Sequence, residues 1–270
     1  MQRVLIVVPC YNEAARLDGE AFLGFAGTHS DIHFLFVNDG STDGTRAVLE
    51  ELRQQRPNQI ALLHLPANVG KAEAIRQGML QSLDSNSDAV GYWDADLSTP
   101  LDAIPCFRDL LERRAGVNIV LGTRLALQGR HIQRHWLRRI LGRVFARCAS
   151  HVIGTPIFDT QCGAKLFRVN ESVRRLFLQP FLSRWIFDVE LLVRWRSACR
   201  AGACSALDGA IYEFPLEEWH EVKGSKLKSS DFLRAVGELW MIHRRYARYA
   251  IDWSSPPIAQ QPAAHSRKAA

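Results

Sequence analysis

Short β-branched and aromatic runs recur along the first half of the chain, each closed by a polar turn. Between several of them, apolar residues return every three or four positions. Val4-Leu5-Ile6-Val7-Val8, shut off by Pro9, has the apolar density of a strand buried on both faces. His33-Phe34-Leu35-Phe36-Val37 is the second such run, Ile60 to Leu65 the third, Ala89 to Trp93 the fourth and Val117 to Leu121 the fifth. The 3.6-residue pattern predicts helices over Arg46 to Gln55, Ala72 to Leu83 and Leu101 to Arg114, with another after the first strand. Strands alternating with helices from residue 4 to residue 121 predict a parallel, doubly wound α/β sheet, which binds ligands at the carboxyl ends of its strands.

Past residue 124 the pattern changes. From Leu125 to Phe158 there is no acidic residue, and Arg130, Arg134, Arg138, Arg139, Arg143 and Arg147 recur among Ile132, Trp136, Ile140, Leu141, Val144, Phe145 and Cys148. That spacing predicts an amphipathic basic helix, either lying on a membrane or packed on the sheet with its arginines solvated. A helix also starts near Phe187 and runs through Arg200, and another spans Ser229 to Tyr249 with Phe232, Val236, Leu239, Trp240 and Tyr246 on its apolar side. The last helix packs on the core, sits at a membrane or mediates a homodimer. After Trp253 the tail has the composition of disorder. We therefore expect one main domain over 1–230, a C-terminal amphipathic helix over 231–252 and a disordered tail over 253–270.

At 270 residues and 47% hydrophobic composition the chain can bury a full core. Its net charge of +6 is unevenly placed: residues 1–120 hold 16 acidic and 10 basic side chains, residues 121–270 hold 12 and 24. An acidic front half suits a metal; a basic back half suits phosphate, lipid headgroups or nucleic acid. Nucleic acid is disfavoured, because clustered aromatic platforms and a known nucleic-acid motif are missing. A dinucleotide-dependent oxidoreductase is disfavoured too, since the first strand leads into Cys10-Tyr11-Asn12-Glu13 and not a G-x-G-x-x-G turn. Six scattered cysteines read as free thiols. No apolar run is long enough to cross a bilayer, and Met1-Gln2-Arg3 leads straight into a strand without signal-peptide architecture, so we expect a cytosolic protein.

The chemistry collects at the strand tips. Asp94 and Asp96 follow the fourth strand one residue apart, a pair that attracts a hard cation such as Mg2+ or Mn2+ whose shell a diphosphate and water complete. In isolation, Asp-x-Asp also reads as a cap for the next helix. Asp39 follows the second strand in Asn38-Asp39-Gly40-Ser41-Thr42-Asp43-Gly44-Thr45, where it can cap a turn or accept a hydrogen bond from a nucleobase ring N–H. Gly70-Lys71 opens a helix in a manner that suits phosphate.

Taken together, PCYNE at 9–13, NDGSTDGT at 38–45, NVGK at 68–71, DAD at 94–96 and GTR at 122–124 resemble family-2 glycosyltransferases of the GT-A fold. DTQCGAKLFR at 159–168, WIFDVELL at 185–192 and GSKL at 224–227 resemble the branch of dolichyl-phosphate glucosyltransferases, dolichyl-phosphate mannose synthases and bacterial polyprenyl-phosphate glycosyltransferases. The resemblance implies an α/β GT-A domain with a mixed, mostly parallel sheet flanked by helices. Residues 1–124 would bind the nucleotide sugar and residues 125–230 the acceptor.

The resemblance also implies residue roles. Pro9, Tyr11, Glu13, Asp39 and Lys71 would hold the donor, a UDP-glucose or GDP-mannose type of nucleotide sugar. Asp43 would steady the loop. Asp94 and Asp96 would hold Mg2+ or Mn2+ and the diphosphate. Arg124, Arg134, Arg138, Lys165 and Lys226 would face the phosphate of a polyprenyl phosphate at the cytoplasmic membrane face. Asp188 takes the position of a catalytic carboxylate, needed as a base only for a hydroxyl acceptor, and it also reads as a helix cap. Ser98 is a departure, standing where relatives often carry a glutamine able to join the metal shell. Glu213 to Lys228 would fold over the donor as a lid. The closest alternative acceptor is a soluble or polysaccharide hydroxyl.

Overall fold

The computed structural model describes residues 3–125, 131–132, 136–220 and 229–248; for 131–132, 136–141, 229–233 and 247–248 it describes the backbone only. Strand β1 (Val4–Cys10) lies inside a seven-stranded sheet. On one side it pairs in parallel with β2 (Ile32–Asn38), which pairs in parallel with β3 (Ile60–His64). On the other side it pairs in parallel with β4 (Ala89–Trp93). The helices α1 (Gly19–Thr28), α2 (Thr45–Gln55) and α3 (Lys71–Leu83) connect these strands. Because the chain winds outward from β1 through β3 and then returns to β4, the β1/β4 boundary is a topological switch point.

Beyond β4 come helix α4 (Ala103–Arg113), strand β5 (Ile119–Thr123), strand β6 (His131–Ile132) and helix α5 (Trp136–Ile153). Next are strand β7 (Ala164–Arg168), helices α6 (Glu171–Leu178), α7 (Phe187–Arg200) and α8 (Leu207–Ala210), strands β8 (Ile211–Pro215) and β9 (Glu218–Trp219), and helix α9 (Ser229–Arg248). The sheet order is β3-β2-β1-β4-β7-β5-β8, and β7 alone runs antiparallel, between β4 and β5. This is the mixed, mostly parallel sheet expected. The inserted β7 has a functional consequence: its amino end, and with it residues 159–163, lies at the edge where β1, β2, β4 and β5 end. Strands β6 and β9 form a separate parallel pair.

Alternating side chains build two cores. Val4, Ile6, Val8, Phe34, Phe36 and Trp93 face α1, α2 and α4, whereas Val7, Leu35, Val37, Val90, Tyr92 and Phe167 face α3 and the later helices. Helix α3 sits close to the sheet because Gly78 allows it: a Cβ there would meet Val7 at 2.5 Å and Val37 at 2.8 Å. The arginine-rich segment does contain a helix, α5, with Phe145, Ala149, Val152 and Ile153 buried and Arg143, Val144, Arg147 and Cys148 exposed. It packs on α7 and α9. Helix α9 buries Ala235, Leu239 and Ile242 against the core and leaves Val236 and Trp240 exposed. All six cysteines are free. Among the described residues, no helix is long and apolar enough to cross a membrane. The tail expected to be disordered and the GSKL part of the expected lid lie outside the described residues.

Candidate active site

Four strand tips and the turn before β7 meet at one edge of the sheet. At the first two, side chains knit the loops together: Asn12 N–H donates to Ser41 Oγ at 3.0 Å, Thr42 N–H to Asn12 Oδ1 at 2.9 Å and Glu13 N–H to Thr45 Oγ1 at 2.8 Å. Asp43 steadies both loops, accepting from Ala14 N–H at 3.2 Å and Thr45 N–H at 3.0 Å. The Thr45 hydroxyl bond, chiefly, holds the Asp43 carboxyl below the usual carboxylate range. Asn12 has φ +54, a left-handed turn that asparagine tolerates. Pro9 lies within β1 opposite Val37, one residue before the strand ends, and Tyr11 just beyond is 37% exposed.

Asp39, 2% exposed, organises the next loop. Its Oδ1 accepts from Val69 N–H at 2.7 Å, and its Oδ2 from Gly70 N–H at 2.9 Å and Asn68 Nδ2 at 3.1 Å. A carboxylate offers about four acceptor positions, so a base N–H would take the last one. The loop turns at Gly70, φ +94, and presents Lys71 as the first residue of α3.

Lys71 Nζ lies 2.5 Å from Asp94 Oδ1. That oxygen is buried and receives no well-directed hydrogen bond. Lys71 keeps about half its side chain exposed, and the charges of Asp94, Asp188 and Asp96 outweigh the partial desolvation of its ammonium and hold it above its ordinary value. Asp96 accepts from Ser98 N–H at 3.0 Å and lies 4.0 Å from Arg16. Arg16 in turn lies 3.6 Å from Glu13, so the β1 loop reaches the second carboxylate. Ser98 carbonyl accepts from His220 N–H at 3.0 Å, bringing the start of the expected lid beside the Asp94–Asp96 turn.

Among the described residues no three-residue cluster of metal-binding side chains exists. Two hard carboxylates on one turn, Asp94 countered by Lys71 and Asp96 met among the described residues by Ser98 N–H and the more distant Arg16, fit a divalent cation that takes its remaining ligands from diphosphate and water. Gly163 completes this cradle: Asp94 N–H donates to its carbonyl at 3.1 Å, and a Cβ on it would lie 2.0 Å from Asp94 Oδ2. Gly163→Ala is accordingly expected to displace Asp94 and reduce turnover about 10²-fold, the scale of a 1 Å misplacement, with cooperative melting retained. Steady-state kinetics beside a thermal melt check this, and near-native turnover would contradict it.

Two expected phosphate-facing cations are already paired. Arg124 makes a two-pronged bond to Asp159, Nε to Oδ2 at 2.6 Å and Nη2 to Oδ1 at 2.7 Å, and stacks 5.2 Å from the Trp219 ring centroid. Burial opposes its charge, but Asp159 outweighs that and raises its pKa. Lys165, expected to face phosphate, turns inward in the structure. At 1% exposure its ammonium points into the protein, 2.7 Å from Asp188 Oδ1 and 2.5 Å from the Cys162 carbonyl, because β7 turns it towards α7 and a buried ammonium needs acceptors. Arg134 and Lys226 lie outside the described residues, and Arg138 falls within α5 with its backbone only described.

Asp188 is the second residue of α7 but makes no cap: the helix has no side-chain cap, and Ser183 Oγ accepts from Trp185 and Ile186 N–H just before it. Its Oδ1 instead takes the Tyr92 hydroxyl as well as Lys165. Tyr92 is fully buried, and burial, then Asp188, raise its pKa well above the ordinary tyrosine value. Tyr92 was not singled out in the sequence; the available signal was a tyrosine inside a buried strand, whose hydroxyl must find a partner. Arg184, which donates to the Val69 carbonyl at 2.9 Å and packs against Gly70, also joins the site.

The chain is similar to several known proteins. The chain is 32% identical over 248 residues to a dolichyl-phosphate beta-glucosyltransferase of Trichomonas vaginalis, covering 87% of this chain and 69% of the relative. It is 30% identical to the dolichyl-phosphate beta-glucosyltransferase of Homo sapiens over 91% and 76% of the two chains, and 26% identical to the polyprenol monophosphomannose synthase of Mycolicibacterium smegmatis over 73% and 72%. Glucosyl-3-phosphoglycerate synthase of Mycobacterium tuberculosis, solved with Mn2+, uridine-diphosphate-glucose and phosphoglyceric acid, superposes with a TM-score of 0.62 over 90% of this chain and 80% of that one; at 17% identity it establishes the fold alone. The family model for Glycosyl transferase family 2 matches residues 5–173, the stretch from β1 to α6 that holds the Asp94–Asp96 turn, and the chain belongs to that family.

Proposed function

We propose that the protein is an inverting glycosyltransferase that moves a hexose from a nucleoside-diphosphate sugar, UDP-glucose or GDP-mannose in type, to a polyprenyl phosphate at the cytoplasmic membrane face. The observation that carries the donor half is the meeting of Asp94, Asp96 and Lys71 at the β1/β4 switch point. Support for the acceptor half comes from the dolichyl-phosphate and polyprenol relatives, which align with 87% and 73% of the chain. Asp94 and Asp96 would hold Mg2+ or Mn2+, which supplies a Lewis acid to neutralise the departing diphosphate.

The protein's own residues do the rest. The β1 and β2 loops, with Pro9, Tyr11, Glu13 and Asp39, form the wall for base and ribose. Lys71, already drawn towards Asp94, places a second positive charge where the leaving group gains negative charge. A prenyl phosphate is an anion at neutral pH, so its oxygen attacks the anomeric carbon without surrendering a proton to a base; alignment is the main requirement. The arginines of 130–147, with Lys226, would counter repulsion between the acceptor and donor phosphates, and Arg124 would join them only by sharing its charge with Asp159. Exposed Arg143, Val144 and Arg147 on α5, and exposed Val236 and Trp240 on α9 with Arg244 5.2 Å from the Trp240 ring, supply the basic and apolar side chains that an anionic lipid surface would take.

Acceptor competition tests the reading. Purified protein is offered labelled UDP-glucose or GDP-mannose with a short-chain prenyl phosphate and a soluble saccharide at matched concentration. Label is expected in the prenyl phosphate. Label in the soluble saccharide alone would overturn the acceptor assignment and leave the donor site standing.

A further inference from the structure

Asp188 is held on one side only. The antiparallel register of β4 and β7 sets Tyr92 opposite Lys165, so both side chains leave the same face of the sheet and meet the start of α7. The Tyr92 hydroxyl and the Lys165 ammonium both bond Asp188 Oδ1, Lys165 is fixed a second time by the Cys162 carbonyl, and its ammonium lies 5.3 Å from the Tyr92 ring centroid. Among the described residues Asp188 Oδ2 receives no hydrogen bond. Tyr92, which bonds Asp188, stands two residues before Asp94 on the same strand end, and Lys71, which pairs with Asp94, also feels the charge of Asp188, so this carboxylate lies beside the Asp94–Asp96 turn.

We propose that Tyr92 and Lys165 are positioning residues that fix Asp188 with Oδ2 open, making it a rigid hydrogen-bond acceptor for a hydroxyl of the donor hexose and not a proton acceptor from the incoming group. A buried ammonium beside Oδ1 keeps its counter-charge only while Asp188 stays a carboxylate, whereas accepting a hydroxyl hydrogen bond leaves that pair intact. Two donors on one oxygen also fix the plane of the carboxylate, which a hydroxyl acceptor must have to select among sugar positions. The inference rests on the reading of this edge as a sugar-nucleotide site and assigns it a sugar-recognition residue.

The experiment compares wild type with Asp188→Asn, Lys165→Met, Tyr92→Phe, Lys165→Arg and the double variant Asp188→Asn/Lys165→Met. Calorimetry measures the affinity of the nucleotide sugar that the wild type binds and of the matching nucleoside diphosphate, both with Mn2+; steady-state kinetics follow where turnover exists. Diphosphate affinity is expected to stay within about threefold of wild type in every variant, which also establishes folding. The extra affinity conferred by the sugar, and kcat, are expected to fall at least tenfold in Asp188→Asn and in Lys165→Met. The double variant should fall no further than Asp188→Asn, and Lys165→Arg should recover part of the loss. Lys165→Met that keeps both the sugar's contribution and kcat within twofold of wild type would overturn the proposal, as would losses that multiply in the double variant. Should Lys165→Met fail to fold, the double variant and Tyr92→Phe decide by the same comparison. Wild-type protein that binds the nucleotide sugar but transfers nothing to prenyl phosphate would defeat the acceptor reading, while the sugar's contribution to affinity still tests the clamp.

Discussion

Asp96→Ala is expected to lower sugar transfer by about 10²–10³-fold, the usual consequence of deleting one preorganised group at the developing charge of a transition state, and to remove the metal dependence of nucleotide binding. The reason lies in how the turn divides its charges. Asp94 is countered by Lys71 at 2.5 Å, whereas among the described residues Asp96 has only Ser98 N–H and the distant Arg16, so it is the carboxylate more available to a cation. Leu97, with φ +52, bends the chain immediately after it, a backbone that a branched apolar residue seldom adopts and that points to a turn shaped for its carboxylates. Titration of UDP or GDP with and without Mn2+ checks the first half of the expectation, and kinetics the second. An Asp96→Ala protein whose nucleotide binding still strengthens with Mn2+ would remove Asp96 from the metal site.

Glu190→Ala should be the most damaging substitution for stability. Glu190 is fully buried and accepts from Leu182 N–H at 2.8 Å, Ser183 N–H at 3.2 Å, Arg194 Nη2 at 2.8 Å and the Tyr246 hydroxyl at 2.7 Å. Arg194, 2% exposed, uses its other donors on the carbonyls of Leu176, Gln179 and Pro180 and on Tyr246. One ion pair thus shapes the 179–186 turn, sets the start of α7 and ties down α9. Removing the carboxylate leaves a buried guanidinium without its counter-charge, at a cost of about 3–5 kcal/mol. At about 2–4 °C per kcal/mol for a chain of this size, the melting temperature should drop by about 6–20 °C. Glu190→Gln, which keeps the acceptor oxygen, should lose less; equal melting temperatures for wild type and Glu190→Ala would contradict the assignment.

The sheet was legible because its strands are nearly continuous apolar runs ending at polar turns, and burial on both faces leaves such a run little alternative. Expected and observed boundaries differ by only a few residues, as for Val117 to Leu121 against Ile119–Thr123. The antiparallel insertion of β7 was not legible: Ala164 to Arg168 is five residues long, and its paired residues lie 44 to 79 positions earlier in sequence, so pairing is a tertiary matter.

At the site, the sequence located the strand tips but not which way each charge turns. Asp94 and Asp96 emerged together because a two-residue spacing after a strand guarantees their proximity. Lys165 was placed towards phosphate, since a lone lysine in a strand motif shows its charge but not its face; the structure spends that charge on Asp188. Asp39 was read as a turn cap or an acceptor for a base, and in the structure it is the scaffold of the Asn68–Gly70 loop, a role visible only once the two loops are brought together.

The central claim, in-line transfer of a hexose to prenyl phosphate, is tested most directly by the anomeric configuration of the product. Protein incubated with α-linked UDP-glucose or GDP-mannose, Mn2+ and a short-chain prenyl phosphate should yield a prenyl-phosphate-linked hexose whose anomeric proton and phosphorus couplings report the β configuration. An α-configured product, or free hexose with the prenyl phosphate unchanged, would contradict it.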